Sequence, residues 1–274
     1  MRTELYLLIS SIDDRIVNLN NVIQNKKEGI YYIVSHQITQ KLSIQTVKYI
    51  KKLNNRNDVI YSKLHSKGVA KSRNNTLKYI KPNTICLMLD DDVTMCPDIF
   101  DTIKNAFLKN TDADFISFKI LTLDDKDYKR YPSKQQWHTL RTLTGIGTVE
   151  IAFRSELVLN HHVRFDEKFG PGAEKYPIGE DFIFAMDIYR KNIKMLFIPK
   201  AIVKHPLGST GSRVDNRVIF GRGALFARVF GLKAYILDFY FAIKHRKTYI
   251  KKISFFSYIK LIFSGSYDYL KQER

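Results

Sequence analysis

The sequence is poor in the residues that build disulfide scaffolds, flexible linkers and membrane spans. Only two cysteines occur among 274 residues, and we interpret Cys86 and Cys96 as free thiols because the first lies in an apolar strand and the second follows an acidic triplet. The 13 glycines and 7 prolines are too few for a long disordered linker. No apolar run reaches the ~18 uncharged residues that a transmembrane helix requires. We therefore expect one globular α/β domain, or such a domain with an appendage.

Acidic residues are also scarce relative to basic ones. The chain carries 45 Lys and Arg against 27 Asp and Glu, a formal net charge of +18, and residues 182–274 alone hold 18 basic and 5 acidic residues. Such a surface favours phosphate-rich partners, which include nucleotides, nucleic acids and anionic lipid headgroups. The first 15 residues show no small-residue cleavage site, so we expect no signal peptide and a cytoplasmic location.

Short apolar segments alternate with segments of helical period over the first 120 residues. The apolar segments predict strands and the intervening segments predict helices. Strands that are apolar almost throughout are typical of a parallel sheet covered on both faces, so we predict a doubly wound α/β fold. The predicted strands are ELYLLIS, IYYIVSH, VIYSKL, TICLML and DFISFKIL, and the predicted helices are RIVNLNNVIQN, IQTVKYIKKL, VAKSRNNTLKYI and PDIFDTIKNAFL.

The pattern loosens after residue 120. A polar stretch, a further strand at GTVEIAFR and a loop rich in glycine and proline, FDEKFGPGAEKYPIGED, lead to about residue 180. Long loops inside compact domains are usually functional. A helix and two strands then precede the segment GSTGS, which we interpret as a flexible break. We place the main boundary after residue 212, where a basic and aromatic helical extension covers residues 213–274.

Three adjacent carboxylates follow the strand TICLML. An acidic cluster on its own is usually a solvated turn or a helix cap. Asp90, Asp91 and Asp92, however, lie at the carboxyl end of a buried strand, where doubly wound sheets bind ligands and where like charges repel unless a cation neutralises them. Mg²⁺ or Mn²⁺ is commonly held by one or two carboxylates together with phosphate oxygens of a substrate. Asp90 and Asp92, two residues apart, suit that arrangement.

With its surroundings, this triplet resembles the DXD motif of the family 2 glycosyltransferases of the GT-A fold. The matching segments are ISSIDDR, KGVAKSRNNTLKYI, LDDD, FDEKFGPGAEKYPIGED and IVKH, in the family's order over residues 4–206. The resemblance implies a Rossmann-like mixed sheet and an inverting, metal-dependent enzyme of the hexosyltransferase type (EC 2.4). Such an enzyme moves a sugar from a nucleotide sugar, here expected to be a UDP-sugar, to a glycan or lipid-linked acceptor in bacterial surface-polysaccharide synthesis. Residues 1–212 would then be the catalytic domain, with a nucleotide-binding half at 1–120 and an acceptor-binding half at 121–212.

The same resemblance implies roles for residues along these segments. Asp92, Asp90 and His205 are the expected ligands of Mn²⁺ or Mg²⁺, and a structural role for His205 is the alternative. Arg73 either holds a phosphate or orients Asp90 through a charge-assisted pair, and a solvated arginine on a helix is the alternative. The residues expected to bind the nucleotide sugar are Ser10, Ser11, Asp13, His36, Gln37, Ser72, Arg73, Asn74, Asp90, Asp91 and Arg213.

The segment GED, which ends at Asp181, resembles the family's acidic motif that supplies the catalytic base. An inverting transfer needs a carboxylate that takes a proton from the acceptor hydroxyl as this hydroxyl attacks the anomeric carbon. The resemblance assigns that role to Asp181 and places Glu180 beside it in the catalytic site or on the acceptor sugar. An acidic pair before FIFAMDIYRK also suits the N-terminus of a helix, so capping is the alternative.

The C-terminal extension interleaves aromatic and aliphatic residues with lysine and arginine. Each apolar run is too short to span a bilayer, so we expect an interfacial helix and a peripheral location on the inner face of the cell membrane. Anionic lipid would attract the basic cluster by roughly 1 kcal/mol per charge. The alternative is that the apolar residues pack on the catalytic domain and the lysines form a solvated face. The basic cluster consists of Lys244, Arg246, Lys247, Lys251 and Lys252.

Two other classes of function compete with a glycosyltransferase. Acidic clusters combined with the charge of +18 are also found in metal-dependent enzymes that process nucleic acids. The basic excess, however, lies after the acidic sites and no base-reading module is recognisable, so we expect no nucleic acid partner. A noncatalytic nucleotide- or glycan-binding protein on the same scaffold is the remaining alternative.

Overall fold

The computed structural model describes residues 4–208 and 214–273. The chain divides into two compact units, which we call the sheet unit and the helical unit. The predicted catalytic domain ending at residue 212 stays a prediction, because compactness does not assign a function. The sheet unit comprises Met1–Lys67, Lys71–Arg164 and Phe184–Leu207, and the helical unit comprises Gly68–Ala70, Phe165–Ile183 and Gly208–Arg274.

The sheet unit contains a mixed sheet of nine strands within the described residues. The spatial order is β3-β2-β1-β4-β8-β6-β9-β5, and β7 pairs with β9 outside this path. β1 to β4 run parallel, whereas β8 lies antiparallel to both β4 and β6. The predicted mixed α/β sheet is therefore confirmed. The strands are β1 Glu4–Ile12, β2 Ile30–Gln37, β3 Val59–Leu64, β4 Thr84–Asp90, β5 Thr94–Met95, β6 Phe115–Leu121, β7 Gln136–Trp137, β8 Ile151–Arg154 and β9 Met195–Lys204.

The register of the parallel strands brings polar strand ends together. β1 is central, and its Ser10 pairs with Ser35 of β2 on one side and with Asp90 of β4 on the other. The preceding residues of β1 and β4 are buried and apolar, which fixes these strands in the core and leaves the polar residues at one edge. This edge is where ligands of doubly wound sheets bind.

Helices connect the strands largely where the periodicity predicts them. Ser43 caps α1, because its hydroxyl oxygen accepts a hydrogen bond from Thr46 N at 3.2 Å. The helix predicted from Arg15 is present as a 3₁₀ helix over Asp13–Asn21, which begins at Asp13 with a left-handed φ of 48°. The first six helices are α1 Ile44–Asn54, α2 Val69–Thr76, α3 Ile99–Lys109, α4 Leu140–Leu143, α5 Ser155–His161 and α6 Glu180–Arg190.

Within residues 214–273, the helical unit contains four further α-helices. Asp215 caps α7 through Val218 N at 2.9 Å, and Ser254 caps α10 through Ser257 N at 3.2 Å. Over the described residues, none of the helices has both the length and the apolar composition that a bilayer crossing demands. The helices are α7 Asn216–Phe230, α8 Ala234–Lys244, α9 Arg246–Tyr249 and α10 Phe255–Gln272.

Two glycines let α7 and α10 approach at backbone distance. A Cβ atom on Gly223 of α7 would overlap the carbonyl oxygen of Ile262, and one on Gly265 of α10 would overlap the carbonyl oxygen of Phe220. The obstacle is backbone in both cases, so a change of side-chain rotamer cannot relieve it. Neither glycine is needed for a positive φ; both are needed for space.

A buried carboxyl group connects α8 to this crossing. Ser266 Oγ of α10 lies 2.5 Å from Asp238 Oδ2 of α8 and 2.9 Å from Gly223 O of α7. A hydroxyl group has one proton, and a carbonyl oxygen only accepts. Both short contacts are satisfied when Asp238 is protonated and donates to Ser266, which in turn donates to Gly223 O. Burial raises the pKa of Asp238 to about 7, in keeping with this protonated form.

Replacing Gly223 by alanine should disrupt the crossing of α7 and α10. We expect Gly223→Ala to lower the free energy of unfolding by about 3 kcal/mol, because the helices must separate to admit one methyl group. Chemical denaturation measures the change. The control is Gly145→Ala. A Cβ atom at Gly145 would have no described atom within 4 Å, and this residue does not have a positive φ. Equal denaturation midpoints for the two variants would contradict the tight crossing.

The buried Asp238 should make stability depend on pH. The folded state holds its proton up to about pH 7, whereas the unfolded chain releases it near pH 4, so the free energy of unfolding should fall as pH rises from 4 to 7. Asp238→Asn keeps a neutral donor toward Ser266, and its stability relative to the wild type should grow over that window by on the order of 3 kcal/mol. Asp112→Asn, at an exposed ion pair with Lys194, controls for the loss of one carboxylate. A constant difference between Asp238→Asn and the wild type would refute this assignment.

Candidate active site

The three aspartates at the end of β4 differ sharply in exposure. The side chain of Asp91 is 3% exposed, while those of Asp90 and Asp92 are 28% and 36% exposed. Asp90 is the last residue of β4, and Asp91 and Asp92 lie in the turn that follows it, where the side chain of Asp91 is buried and those of its two neighbours reach solvent. The outer two carboxylates are therefore accessible to a ligand and the middle one is held within the protein.

Asp90 pairs with the buried Arg73 of α2. The Nη2 atom of Arg73 lies 3.2 Å from Asp90 Oδ1 and 3.4 Å from Asp90 Oδ2. Such a charge-assisted contact fixes the direction of a carboxylate while leaving its outer lone pairs available. Of the two roles that we predict for Arg73, this geometry favours the orientation of Asp90.

Asp91 is held by one residue near the end of β1 and one from the 3₁₀ segment that follows it. Ser11 Oγ donates to Asp91 Oδ2 at 2.7 Å, and Arg15 Nη2 donates to Asp91 Oδ1. Burial raises the pKa of Asp91 to about 6 although both partners stabilise its charged form. With both oxygens used, Asp91 ties the 3₁₀ segment after β1 to the end of β4, and its predicted contact with the donor stays a prediction.

Asp92 lies between Arg15 and His205. Arg15 Nη2 is 3.0 Å from Asp92 Oδ2, and His205 Nε2 is 3.4 Å from Asp92 Oδ1, within ion-pair distance but without hydrogen-bond geometry. The carboxylate raises the pKa of His205, and the imidazole lowers the pKa of Asp92. His205 reaches this position because its backbone N–H bonds to Leu121 O at 2.8 Å, just after β9.

The tautomer of His205 bears on what lies between these two groups. Its Nδ1 is 2.7 Å from Pro206 O, and since a carbonyl only accepts, Nδ1 carries a proton. In a neutral imidazole the lone pair of Nε2 then faces the carboxylate of Asp92. Two lone pairs repel, so the arrangement is favourable only when His205 is protonated or when a cation binds both atoms.

These residues fit a divalent cation with two protein ligands. Asp92 Oδ1 is buried and has no hydrogen-bond partner among the described residues, and an imidazole and a carboxylate together suit Mn²⁺. No group of three or more His, Cys, Asp or Glu residues within 4–208 and 214–273 is arranged to hold a metal ion. Mg²⁺ and Mn²⁺ sites of this kind are completed by substrate phosphates and water.

Several predicted donor-binding positions line the same strand ends. Ser10 Oγ and Gln37 Oε1 are buried and have no hydrogen-bond partner among the described residues. Ser72 donates to Ser35 O at 3.3 Å, which holds α2 against β2, and Asn74 is buried in the same helix. The unpartnered oxygens of Ser10 and Gln37 are acceptors available to a polar ligand.

Asp13 and His36 are already engaged within the protein. Both carboxylate oxygens of Asp13 accept from Thr39, its N–H and its hydroxyl, each at 2.7 Å. His36 Nε2 donates to Asp13 O at 2.8 Å, so Nδ1 accepts from Tyr61 OH at 2.7 Å, and burial lowers the pKa of His36. These bonds shape the loop after β1, and the contacts predicted between these two residues and a nucleotide stay predictions.

Glu180 and Asp181 form the first turn of α6, in the part of this helix that belongs to the helical unit. Glu180 is buried against Gly170, whose φ of +102° and lack of a Cβ leave room for its carboxyl group. Asp181 is half-buried. Both carboxylates suit the N-terminus of a helix, so the capping alternative remains open beside the catalytic one. Arg213 lies outside the described residues.

The sequence patterns do not predict one residue of the site, Arg15. Arg15 contacts both Asp91 and Asp92, yet in the sequence it looks like the first residue of a solvated helix. Its signal is positional: a single cation follows ISSIDD at the end of β1, next to a strand that ends in three acids. Parallel neighbours end at the same edge, so a basic residue there is a candidate partner.

The fold also occurs among solved structures. No protein-family model and no curated protein matches the chain. The crystal structure of S. aureus TarS 1–349 is similar with a TM-score of 0.61 and 17% identity, over 91% of this chain and 74% of that chain. The complex of TarS 1–349 with UDP has a TM-score of 0.62 and 16% identity, over 92% and 76% of the two chains. The complex with UDP-GlcNAc has a TM-score of 0.61 and 16% identity, over 98% and 90%.

Identities of this size carry information about architecture alone. The similarity extends over nearly the whole chain, and it agrees with the mixed sheet and its flanking helices. The GT-A fold that the sequence motifs predict is therefore the fold of this chain.

Proposed function

We propose that this protein is an inverting, metal-dependent glycosyltransferase that takes a sugar from a nucleotide sugar, a UDP-sugar in the first instance. The observation that carries the proposal is the end of β4, where Asp90 is oriented by Arg73 and Asp92 Oδ1 lies 3.4 Å from His205 Nε2. The similarity to TarS, which has been crystallised with UDP and with UDP-GlcNAc, supports the choice of donor. A GT-A fold on its own would not identify the reaction.

The donor half of the reaction rests on the sheet unit. Asp92 and His205 would hold Mn²⁺ or Mg²⁺, which neutralises charge on the departing diphosphate. Asp90, held in one direction by Arg73, would accept a hydrogen bond from a ribose hydroxyl of the nucleotide. The unpartnered oxygens of Ser10 and Gln37 are further acceptors for groups of the donor.

The acceptor half rests on the resemblance of the segment GED to the family motif. Asp181 would take the proton of the acceptor hydroxyl, and Glu180 would bind the acceptor sugar. The acceptor would be a glycan or a lipid-linked acceptor in the synthesis of a bacterial surface polysaccharide. The basic C-terminal extension supports a peripheral location on an anionic membrane surface, where a lipid-linked acceptor is found.

A screen of nucleotide sugars in the presence of Mn²⁺ tests the proposal directly. Slow hydrolysis or calorimetric binding of one nucleotide sugar would support it and would identify the donor. Tight, salt-sensitive binding to nucleic acid without binding of any nucleotide sugar would instead favour an enzyme that processes nucleic acids.

Asp92→Asn should weaken metal-dependent donor binding. The variant keeps the volume of the side chain but removes the charge that holds the cation, so we expect the affinity for UDP with Mn²⁺ to fall at least about tenfold, with little change when EDTA is present. Isothermal titration calorimetry measures both conditions. Asp112→Asn is the control, because it removes one carboxylate from an exposed pair with Lys194 that is not part of the site. Retained Mn²⁺-dependent affinity in Asp92→Asn would remove this residue from the metal site.

Asp181→Asn should separate binding from turnover. An amide cannot accept the proton of the acceptor hydroxyl, so we expect transfer to fall by roughly 10² to 10⁴ while the affinity for the donor stays unchanged. Asp187→Asn, two turns later in α6, serves as the matched control. If transfer by Asp181→Asn equals that of the control, the carboxylate caps the helix and another group is the base.

A further inference from the structure

Helix α8 carries exposed large apolar residues on the side opposite to the one that it buries most deeply. The residues that it buries are Ala234, Asp238 and Ala242, which recur every four residues on the side packed against α7 and α10. Two are small and one is a carboxylic acid. A surface helix of a water-soluble protein normally shows the reverse arrangement, with large apolar residues inside.

The opposite side of α8 carries an exposed row of large apolar side chains. Their spacing of three or four residues continues back into the 3₁₀ turn Gly231–Lys233, and between 49% and 73% of each side chain is exposed. An exposed apolar side chain is ordinary when single, but a contiguous row marks a contact surface. We call this row the α8 stripe; it consists of Leu232, Ile236, Phe239, Tyr240 and Ile243.

Further aromatic residues extend the stripe toward the start of α10. The ring of Phe239 lies 6.4 Å from that of Phe255, which in turn lies 5.8 Å from the ring of the highly exposed Phe256. Two cations border these rings: Lys244 lies over Tyr240 at 5.4 Å, and Arg246 lies over Phe255 at 5.8 Å. Aromatic rings bordered by lysine and arginine are typical of segments that lie at a membrane–water interface.

The charges around the stripe have one sign. Between residues 231 and 252 the chain has six lysine and arginine residues, all exposed, and its one acidic residue is the buried Asp238. A second copy of this chain docked on the stripe would bring the two basic surrounds together, and this repulsion opposes self-association. An anionic surface complements the same charges. The six residues are Lys233, Lys244, Arg246, Lys247, Lys251 and Lys252.

We propose that the α8 stripe inserts into the interface of a membrane that contains anionic lipid, with the surrounding lysines and arginines at the headgroups. This inference rests on the proposed function at one point: a lipid-linked acceptor is the reason for the protein to bind a membrane. With 11 residues, α8 is about 16 Å long, so it lies in the plane of the interface rather than crossing it. The inference goes beyond charge attraction, because it assigns the insertion to α8 and to apolar contacts.

Vesicle flotation with the full-length protein tests the inference. The probes are vesicles of phosphatidylcholine alone and of phosphatidylcholine mixed with phosphatidylglycerol, each at low and high salt. Ile236→Ser combined with Ile243→Ser should lower the partition coefficient on the mixed vesicles at least about tenfold, because two buried side chains are lost from the interface. High salt should reduce the binding of the wild type only in part, since apolar insertion is not screened.

The controls separate insertion from general loss of apolar surface. Ile44→Ser combined with Leu108→Ser removes two residues that are more exposed than Ile236 and Ile243 from helices of the sheet unit, and it should leave flotation unchanged. Leu232→Gln combined with Tyr240→Gln provides a second stripe variant, should the first one fold poorly by circular dichroism. Lys251→Gln combined with Lys252→Gln should lower binding to the mixed vesicles but not to phosphatidylcholine.

Three outcomes would overturn the inference. The wild type fails to float with the mixed vesicles, or the stripe variants float like the control, or analytical ultracentrifugation shows a dimer that the stripe variants dissociate while their flotation is unchanged. The last result would assign the stripe to a second copy of the chain. Donor binding is measured on the same samples in solution, so failure of the proposed function is seen separately from failure of membrane insertion.

Discussion

Repulsion among three adjacent carboxylates is the constraint on which the end of β4 depends. Each carboxylate faces a basic side chain from a different element: Arg73 from α2, Arg15 from the 3₁₀ segment after β1, and the imidazole of His205 from the chain after β9. Arg15 serves two of the three, since it contacts Asp92 as well as Asp91. The acids therefore become tolerable only when segments far apart in sequence have folded around β4, which ties the local electrostatics to the whole sheet unit.

The three carboxylates of the triplet differ in their exposure and in their partners. The middle carboxylate is used inside the protein, where it anchors Ser11 and Arg15, and the outer two remain accessible. A single acid could not hold the loop after β1 and bind a ligand with the same oxygens. The two accessible acids differ in chemistry, since one is fixed by an arginine and the other faces an imidazole. The triplet thus has two accessible carboxylates separated by one that is held within the protein.

Local patterns in the sequence predicted the features that depend on neighbouring residues alone. Continuous apolar runs predict the buried strands. The acids after TICLML are recognisable because their charge contrasts with the apolar strand before them. The antiparallel insertion of β8 between β4 and β6 depends on the packing of the entire sheet, and no local signal encodes it. The role of Arg15 also has no local signal, because its partners are 76 and 77 residues away. For α8, the hydrophobicity of the sequence alone predicted burial of the apolar side chains as readily as their exposure.

The reciprocal glycine contact of α7 and α10 limits how this chain can diverge. Because each missing side chain is opposed by a carbonyl group of the other helix, enlarging one position cannot be offset by shrinking a neighbour, which is already at its minimum. Homologous chains that lose either glycine must then cross these helices differently or abandon the crossing. We therefore expect both positions to stay glycine wherever this crossing is kept, while the exposed residues of the same segment can change.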